Sequence, residues 1–498
     1  MAGPMRDGDS LTIELPATVR VTLARLADAG HDAALVGGSV RDLVSGQVPN
    51  DWDVATAAAP EVVADLFPGS IWENRFGTVT VRGADGLEVQ VTTFRFEGPY
   101  LDRRRPASVS WGRSLEEDLS RRDFTVNAIA WRPTNLASGG GVLVDPHGGV
   151  NDLGQGMLRA VGDPEARIGE DALRMVRAAR FAARLGLRVE DGTADAIRRH
   201  PREAIGLSGE RVRDELWRML EAPDPERPPS TALRLLEDLG VLVVLLPELA
   251  ALRGVPQDKA LAGDAFDHSL RTADALPAGR PLLRLAGLFH DLGKATTLAD
   301  GHFIGHEVAG ARLAAAVGER LRLSRADSGW LTRLVRQHMF AYRPDWTDAA
   351  VRRFIRRVGA DLLDDLFALR AADNAASGVA QPEATGLDEL RARIEAVTAS
   401  GPLSHAQLAI DGRDLTDELA IAPGPLVGEL LDRLLEAVLD DPALNQRDRL
   451  LELARGWAED AGAPTHQPGS NEGSGLGHGE AADDGAAATI GDPGAVPT

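Results

Sequence analysis

Cysteine is absent from all 498 residues. That excludes disulfides, thiolate nucleophiles, thiolate-bound zinc and iron–sulfur clusters together, so any metal must be held by His, Asp, Glu or carbonyl oxygen. Lysine is almost absent: of 54 basic residues only Lys259 and Lys294 are not arginine. Positive charge therefore rests on a rigid guanidinium fork that suits phosphates and base edges, although genomic composition bias gives the same imbalance. Long apolar runs are missing too. The longest, Leu239 to Leu252, is broken by Pro247 and Glu248, and Met1 to Glu14 lacks the basic-then-apolar order of a signal peptide. A cytoplasmic chain with no membrane partner is the expectation.

What is present is acid. With 75 Asp and Glu the net charge is −21, which argues against nucleic acid covering the whole surface but leaves room for a local basic track. Up to about Val161, short β-rich runs (Ala34 to Val36, Val79 to Arg82, Val89 to Phe94, Ala128 to Trp131) alternate with turns and with helical stretches near Leu23 to Ala29 and Pro60 to Leu66. This predicts a compact α/β domain. From Pro164 to about Asp460 the periodicity is helical. Residues 461–498 carry Gly, Ala, Pro, Ser and five acids without Lys or Arg, the composition of a disordered tail.

The first chemistry-bearing constellation is Gly37-Gly38-Ser39-Val40-Arg41-Asp42 after the apolar run Ala34 to Val36, followed by Asp51-Trp52-Asp53. Two glycines between strand and helix let backbone N–H groups approach a triphosphate. In an extended strand Asp51 and Asp53 project from one face while Trp52 points to the other, so two carboxylates converge and call for a hard cation such as Mg²⁺ held with substrate phosphates.

With Phe76-Gly77-Thr78-Val79, Thr92-Thr93-Phe94-Arg95, Arg121 to Ala128, Asp145-Pro146 with Gly148-Gly149, Glu170-Asp171-Ala172-Leu173-Arg174 and Glu210-Arg211 with Glu215, these motifs form an ordered series over roughly the first 220 residues. The series resembles the tRNA nucleotidyltransferases that add CCA and the bacterial poly(A) polymerases of the same superfamily. The resemblance implies an α+β architecture: a polymerase-β-like nucleotidyltransferase α/β head followed by an elongated all-α body. It implies that Asp51 and Asp53 hold two Mg²⁺ ions, that Gly38 and Arg41 contact the nucleotide phosphates, and that Arg122, Asp123 and Asn127 hold its ribose and triphosphate. Where such enzymes often carry an acid before the Val-Thr-Thr stretch this chain has Gln90, with Glu88 the nearest carboxylate on that strand face.

A helix expected from about Gly169 to Leu185 places Asp171, Arg174, Arg177, Arg180 and Arg184 on one stripe. The resemblance implies that Asp171 and Arg174 read the Watson–Crick edges of CTP and ATP and that Arg177 and Arg180 face the triphosphate. The loop Arg95 to Trp111, with Arg103-Arg104-Arg105, lies where the family keeps a flexible segment thought to help switch from C to A.

A second series, His268, His290-Asp291, His306, His338 and Asp373, follows the order of an HD phosphohydrolase domain, with Phe289 to Lys294 as its core signature. The resemblance implies His268, His290, Asp291 and Asp373 as ligands, with His306 and His338 completing a second site or contacting phosphate; imidazole with carboxylate suits Mn, Ni, Co, Fe or Mg. Between Glu319 and Arg357, ten arginines face four acids, a candidate track for the tRNA acceptor arm.

The divisions expected are 1–158 (catalytic head), 159–255 (helical neck with base- and RNA-binding helices), 256–378 (HD domain), 379–460 (C-terminal helical domain) and 461–498 (tail). The expected activity is template-independent addition and repair of the tRNA 3′ CCA from CTP and ATP, with an HD phosphohydrolase activity and no stable protein partner. The rivals are a poly(A) polymerase or A-adding enzyme of the superfamily, and a non-catalytic RNA-binding or HD regulatory protein.

Overall fold

A computed structural model describes residues 6–73, 77–97, 109–111, 114–257, 259–378, 382–400 and 403–461. Phe76, the Arg103 to Arg105 run and tail residues 462–498 lie outside the described residues. The chain forms two compact units: residues 1–346 with 357–392, and residues 347–356 with 393–498.

The first unit begins with ten strands: β1 Ser10–Thr12, β2 Ala33–Val36, β3 Trp52–Thr56, β4 Ile71–Glu73, β5 Thr78–Arg82, β6 Glu88–Thr93, β7 Arg95–Glu97, β8 Val109–Trp111, β9 Ala130–Asn135 and β10 Gly140–Val144. Eight form one sheet in the order β1-β10-β9-β2-β3-β6-β5-β4; β7 and β8 pair separately. β3 and β6 run parallel with Asp53 directly opposite Gln90, while the neighbouring pairs are antiparallel.

Alternation along β2 and β3 separates two faces. Leu35, Trp52 and Val54 bury with Val19, Leu23 and Leu26 of helix Ala17–Asp28 and Val63 of helix Pro60–Leu66. Ala34, Val36 and Ala55 point the other way, onto Phe94, Leu115, Leu119 and Val161. Each fully buried side chain of this size contributes about 1.5–3 kcal/mol, so a one-residue slip that exchanged the faces is strongly disfavoured. Asp53 shares the Ala55 face, as period-two alternation predicts.

Several boundaries differ from the sequence reading. β1, β4 and β10 carried no legible signal: two have only three residues, too short to show a period, and β10 opens on two glycines. The run Ala128 to Trp131 follows a 3₁₀ turn, Thr125–Asn127, and its strand starts only at Ala130 and extends to Asn135. Beyond Val144 the remaining strands are short, Met157–Leu158 paired with Arg188–Val189 in parallel. Helices follow, including Leu173–Leu185 and Gly209–Glu221, then Ala265–Ala275, Pro281–Phe289, His306–Arg320, Arg325–Gln337 and Leu363–Ser377.

The second unit has its own core. Leu415 and Leu419 of helix Gly412–Leu419 pack with Leu430, Leu434 and Val438 of helix Pro425–Asp440 and Leu450 and Ala454 of helix Arg447–Asp460. Residues 347–356 join this unit although they precede it by some forty residues. Among the described residues no helix is long and apolar enough to cross a membrane.

Candidate functional site: a carboxylate pair with an arginine cage, and a histidine–aspartate cluster

The turn between β2 and helix Gly38–Val44 requires Gly37. Its φ is +70°, and a Cβ there would stand 2.7 Å from Nη1 of Arg122. That bare turn lets Arg122 lie against the backbone, donating to the carbonyl of Asn127 (3.3 Å) and to Asp118 (3.2 Å). Arg41, almost wholly buried, donates to Oδ1 of Asn127 (2.6 Å) and to Asp42 (2.8 Å). Asn127 passes the link on by donating to Asp123 (3.2 Å), which also receives the Phe124 N–H and, from the neck, Nε of Arg177 (both 2.8 Å). Burial opposes charge on Asp123, yet Arg177 and these donors hold its carboxyl at about 2. One network thus ties together Gly37, Arg41, Arg122, Asp123, Asn127 and Arg177.

Asp51 sits just before β3 rather than within it, exposed, with Asp53 half-buried two residues on. Among the described residues neither carboxylate accepts a hydrogen bond or joins an ion pair. Burial, and after it the charge of Asp51, raises Asp53 above the ordinary carboxylate range even against the pull of Arg122. Two carboxylates held close without a donor are a donor set that fits a divalent cation. Glu88 does not extend the set: Arg82 of β5 holds its carboxylate at 2.8 Å, and Gln90 is the residue beside Asp53.

The expected helix from Gly169 is two helices. Pro164–Glu170 ends, Asp171 is extended (φ −149°, ψ 107°), and the next helix starts at Leu173. Asp171 is therefore not on the arginine stripe. Freed from helical geometry it caps the next turn by accepting the Leu173 N–H (3.0 Å) and is gripped by both Nη atoms of Arg211 (3.1 and 2.6 Å). Arg174, in place of pairing with Asp171, reaches back to Glu170 (2.5 Å) and to the carbonyl of Arg167 (2.8 Å). Arg180 is paired with buried Glu215 (2.5 Å), and Arg177 also lies 3.6 Å from it. The guanidinium carbons of Arg180, Arg177 and Arg41 stand 4.1, 5.0 and 5.9 Å from the ring centre of Phe181, a cation–π arrangement around one aromatic ring. The sequence signals Glu210-Arg211 and Glu215 were visible as motifs; their roles as partners of Asp171 and Arg180 were not.

The second cluster gathers all six predicted residues. His268, His290 and Asp373 bring ligand atoms within 4.8 Å of one another, and Asp291, His306 and His338 do the same. Asp291 stands between the two groups: Oδ2 faces His290 (3.1 Å) and His268 (3.7 Å), Oδ1 faces His306 (3.4 Å) and His338 (3.7 Å). Gly293 makes this possible, since a Cβ there would collide with the carbonyl of His306 at 2.0 Å. Nδ1 of His290, His306 and His338 each lies 2.7–2.8 Å from a backbone carbonyl, so those nitrogens donate and Nε2 turns inward as an acceptor. Nε2 of His306 and Nε2 of His338 are only 3.3 Å apart. Burial first, and then His290, keep His338 neutral at about 3. Inward-facing imidazole lone pairs around a carboxylate held well below its ordinary range fit divalent cations. Lys259 and Lys294 also enter the cluster, the former unforeseen although its rarity was a signal.

The basic track is largely spoken for. Arg320, Arg333, Arg336 and Arg343 pair with Glu248, Asp361, Glu307 and Asp345; in the second unit Arg353 pairs with Glu436 and Asp440, Arg356 with Asp432 and Glu436, and Arg352 donates to the carbonyl of Leu439.

Comparison with known proteins finds the poly(A) polymerase head domain over residues 33–159, the probable RNA- and SrmB-binding site of polymerase A over 186–252, an HD domain over 265–377 and a putative tRNA nucleotidyltransferase domain 2 over 344–454. An A-adding tRNA nucleotidyltransferase of Deinococcus radiodurans is 36% identical across 86% of this chain and 96% of its own length. A CCA-adding enzyme of Lactiplantibacillus plantarum is 31% identical across 86% and 93%. The crystal structure of the Bacillus stearothermophilus CCA-adding enzyme in complex with CTP superposes with a TM-score of 0.63 at 28% identity, covering 89% of this chain and 98% of that one. Domains of both kinds use divalent metals.

Proposed function

Because this chain belongs to the CCA-adding tRNA nucleotidyltransferase family, whose members include A-adding enzymes, we propose that it completes the 3′ end of tRNA by adding CCA from CTP and ATP without a nucleic-acid template. The observation that carries the reading is the donor-free carboxylate pair Asp51 and Asp53 beside the bare Gly37-Gly38 turn. Asp51 and Asp53 would hold two Mg²⁺ ions, and the chemistry such ions would supply when bound is a lowered pKa for the attacking ribose 3′-OH and neutralisation of the leaving pyrophosphate. Gly38 and Arg41 receive the phosphates. Arg122, Asp123 and Asn127, already fixed by mutual hydrogen bonds, orient the ribose and triphosphate with little reorganisation at the moment of reaction. Arg177 and Arg180, held in place by Asp123 and Glu215, face the triphosphate. Asp171 and Arg174 read the base edge, Asp171 steadied by Arg211.

In the HD cluster His268, His290, Asp291 and Asp373 would hold a transition-metal ion or Mg²⁺, with His306 and His338 completing a second site or contacting phosphate, and the activity such a metal would support is phosphohydrolysis of cyclic phosphates or phosphomonoesters. The chain's division into head (1–158), neck (159–255), HD domain (256–378) and C-terminal helices (379–460), and its cytoplasmic location, belong to the same reading.

The test is nucleotide-resolved. A tRNA ending before CCA, incubated with CTP, ATP or both, should gain three nucleotides and stop. A single A added only to a CC end would assign the chain to the A-adding enzymes, and a ladder would make it a poly(A) polymerase. Asp51→Ala with Asp53→Ala should lower incorporation at least 1,000-fold; unchanged incorporation would overturn the metal assignment.

A further inference from the structure

The only two lysines in the chain both end in the HD cluster. Nζ of Lys259 lies 2.7 Å from Nε2 of His268 and 3.1 Å from Oδ1 of Asp373. Nζ of Lys294 lies 2.7 Å from Oδ2 of Asp291, the oxygen turned toward His268 and His290. Oδ1 of Asp291 faces His306 and His338.

Lys259 is held there by more than its own charge. The N–H of Ala260 donates to the carbonyl of Ser377 (3.1 Å), and Ser377 in turn donates its hydroxyl to the carbonyl of Asp373 (2.8 Å), tying the Lys259 segment to the helix that carries Asp373. Asp373 is already neutralised on its other oxygen by Arg370 (3.1 Å). A guanidinium would spread its charge over a plane; an ammonium is compact, and its four-carbon stem allows it both to enter a ligand set and to withdraw from it.

We propose that Lys259 is a tethered competitor for the subsite of His268, His290 and Asp373. The inference rests on the reading that the cluster binds divalent metal. A metal ion coordinated by His268 and Asp373 and the Lys259 ammonium touching the same two atoms exclude one another by like charge and by volume. The two subsites therefore load unequally. Asp291, His306 and His338 take an ion first, and the other three accept one only as Lys259 swings away.

The experiment uses the full chain carrying Asp51→Ala and Asp53→Ala, so that only the HD cluster is counted, with and without Lys259→Met or, as a second neutral variant, Lys259→Gln. Mn²⁺ is titrated by calorimetry, and the spin coupling of a Mn²⁺ pair is followed by electron paramagnetic resonance. With Lys259 present, one ion should bind at least tenfold more tightly than the second. Neutralising Lys259 should tighten the second at least tenfold and bring the coupled-pair signal to lower Mn²⁺. Two-ion binding whose inequality in both neutral variants is the same as with Lys259 present overturns the proposal alone. No Mn²⁺ bound by any of the proteins removes the metal reading and the proposal together.

Discussion

Asp123 carries a full charge inside the protein, and its neighbours make that tolerable: the Arg177 guanidinium, the Asn127 amide and the Phe124 N–H all point at it. Its folded value of about 2 lies below the ordinary 3.8, so its contribution to stability is complete above about pH 5 and disappears as the pH falls toward 2. The difference corresponds to about 2 kcal/mol. Urea unfolding should show the parent chain more stable than Asp123→Asn by at least about 2 kcal/mol at pH 7, with the gap closing between pH 5 and pH 2; a gap independent of pH would mean that the ion pair with Arg177 contributes nothing. Residue types at this scale were legible, because a fork donor, an acceptor and an amide at 122, 123 and 127 have few other uses together. Their partners were not, since Asp123 and Arg177 are separated by 54 residues that no local period spans.

At the scale of elements, the helix break at Asp171 shows where periodicity misleads. Spacing of three continues through Asp171, Arg174 and Arg177, but the Asp171 side chain competes for the N–H of Leu173 and ends the first helix before the second begins. The strand buried on both faces at 33–36, β2, was legible from its apolar content; edge strands such as β1 and β4 were not. The arginines of 347–356 show how partners stay illegible in a local window: the basic run is matched by the stripe Asp432, Glu436 and Asp440 at steps of four on one helix. These pairs are exposed and each contributes up to about 1 kcal/mol. Arg353→Glu should therefore lower the stability of the second unit by about 1 kcal/mol, and adding Glu436→Arg should recover part of it; chemical denaturation in low salt measures both, and 1 M salt should shrink the difference.

For the whole molecule, the carboxylate pair and the histidine cluster have different ligands and no residue in common. Their losses should accordingly be separable. His290→Ala with Asp291→Ala should abolish metal-dependent turnover of 2′,3′-cyclic AMP while leaving incorporation into tRNA within about twofold, and Asp51→Ala should do the reverse. Parallel assays on the same preparations decide it; a common loss would show that the two sites depend on one another. The existence of both sites could be read from ordered motifs, because each motif must place several chemically restricted residues together. The interleaving of residues 347–356 with a unit that begins at 393 could not, since it depends on packing between segments far apart in the chain.

The scarcity of lysine also determines how this protein meets reagents. With its only two ε-amines drawn into one pocket, amine-directed labels, cross-linkers and acyl donors have the N-terminus and that pocket as their targets, and lysine-specific proteases have just two peptide bonds to cut. Any lysine acylation found on the folded chain therefore reports on the histidine–aspartate cluster itself.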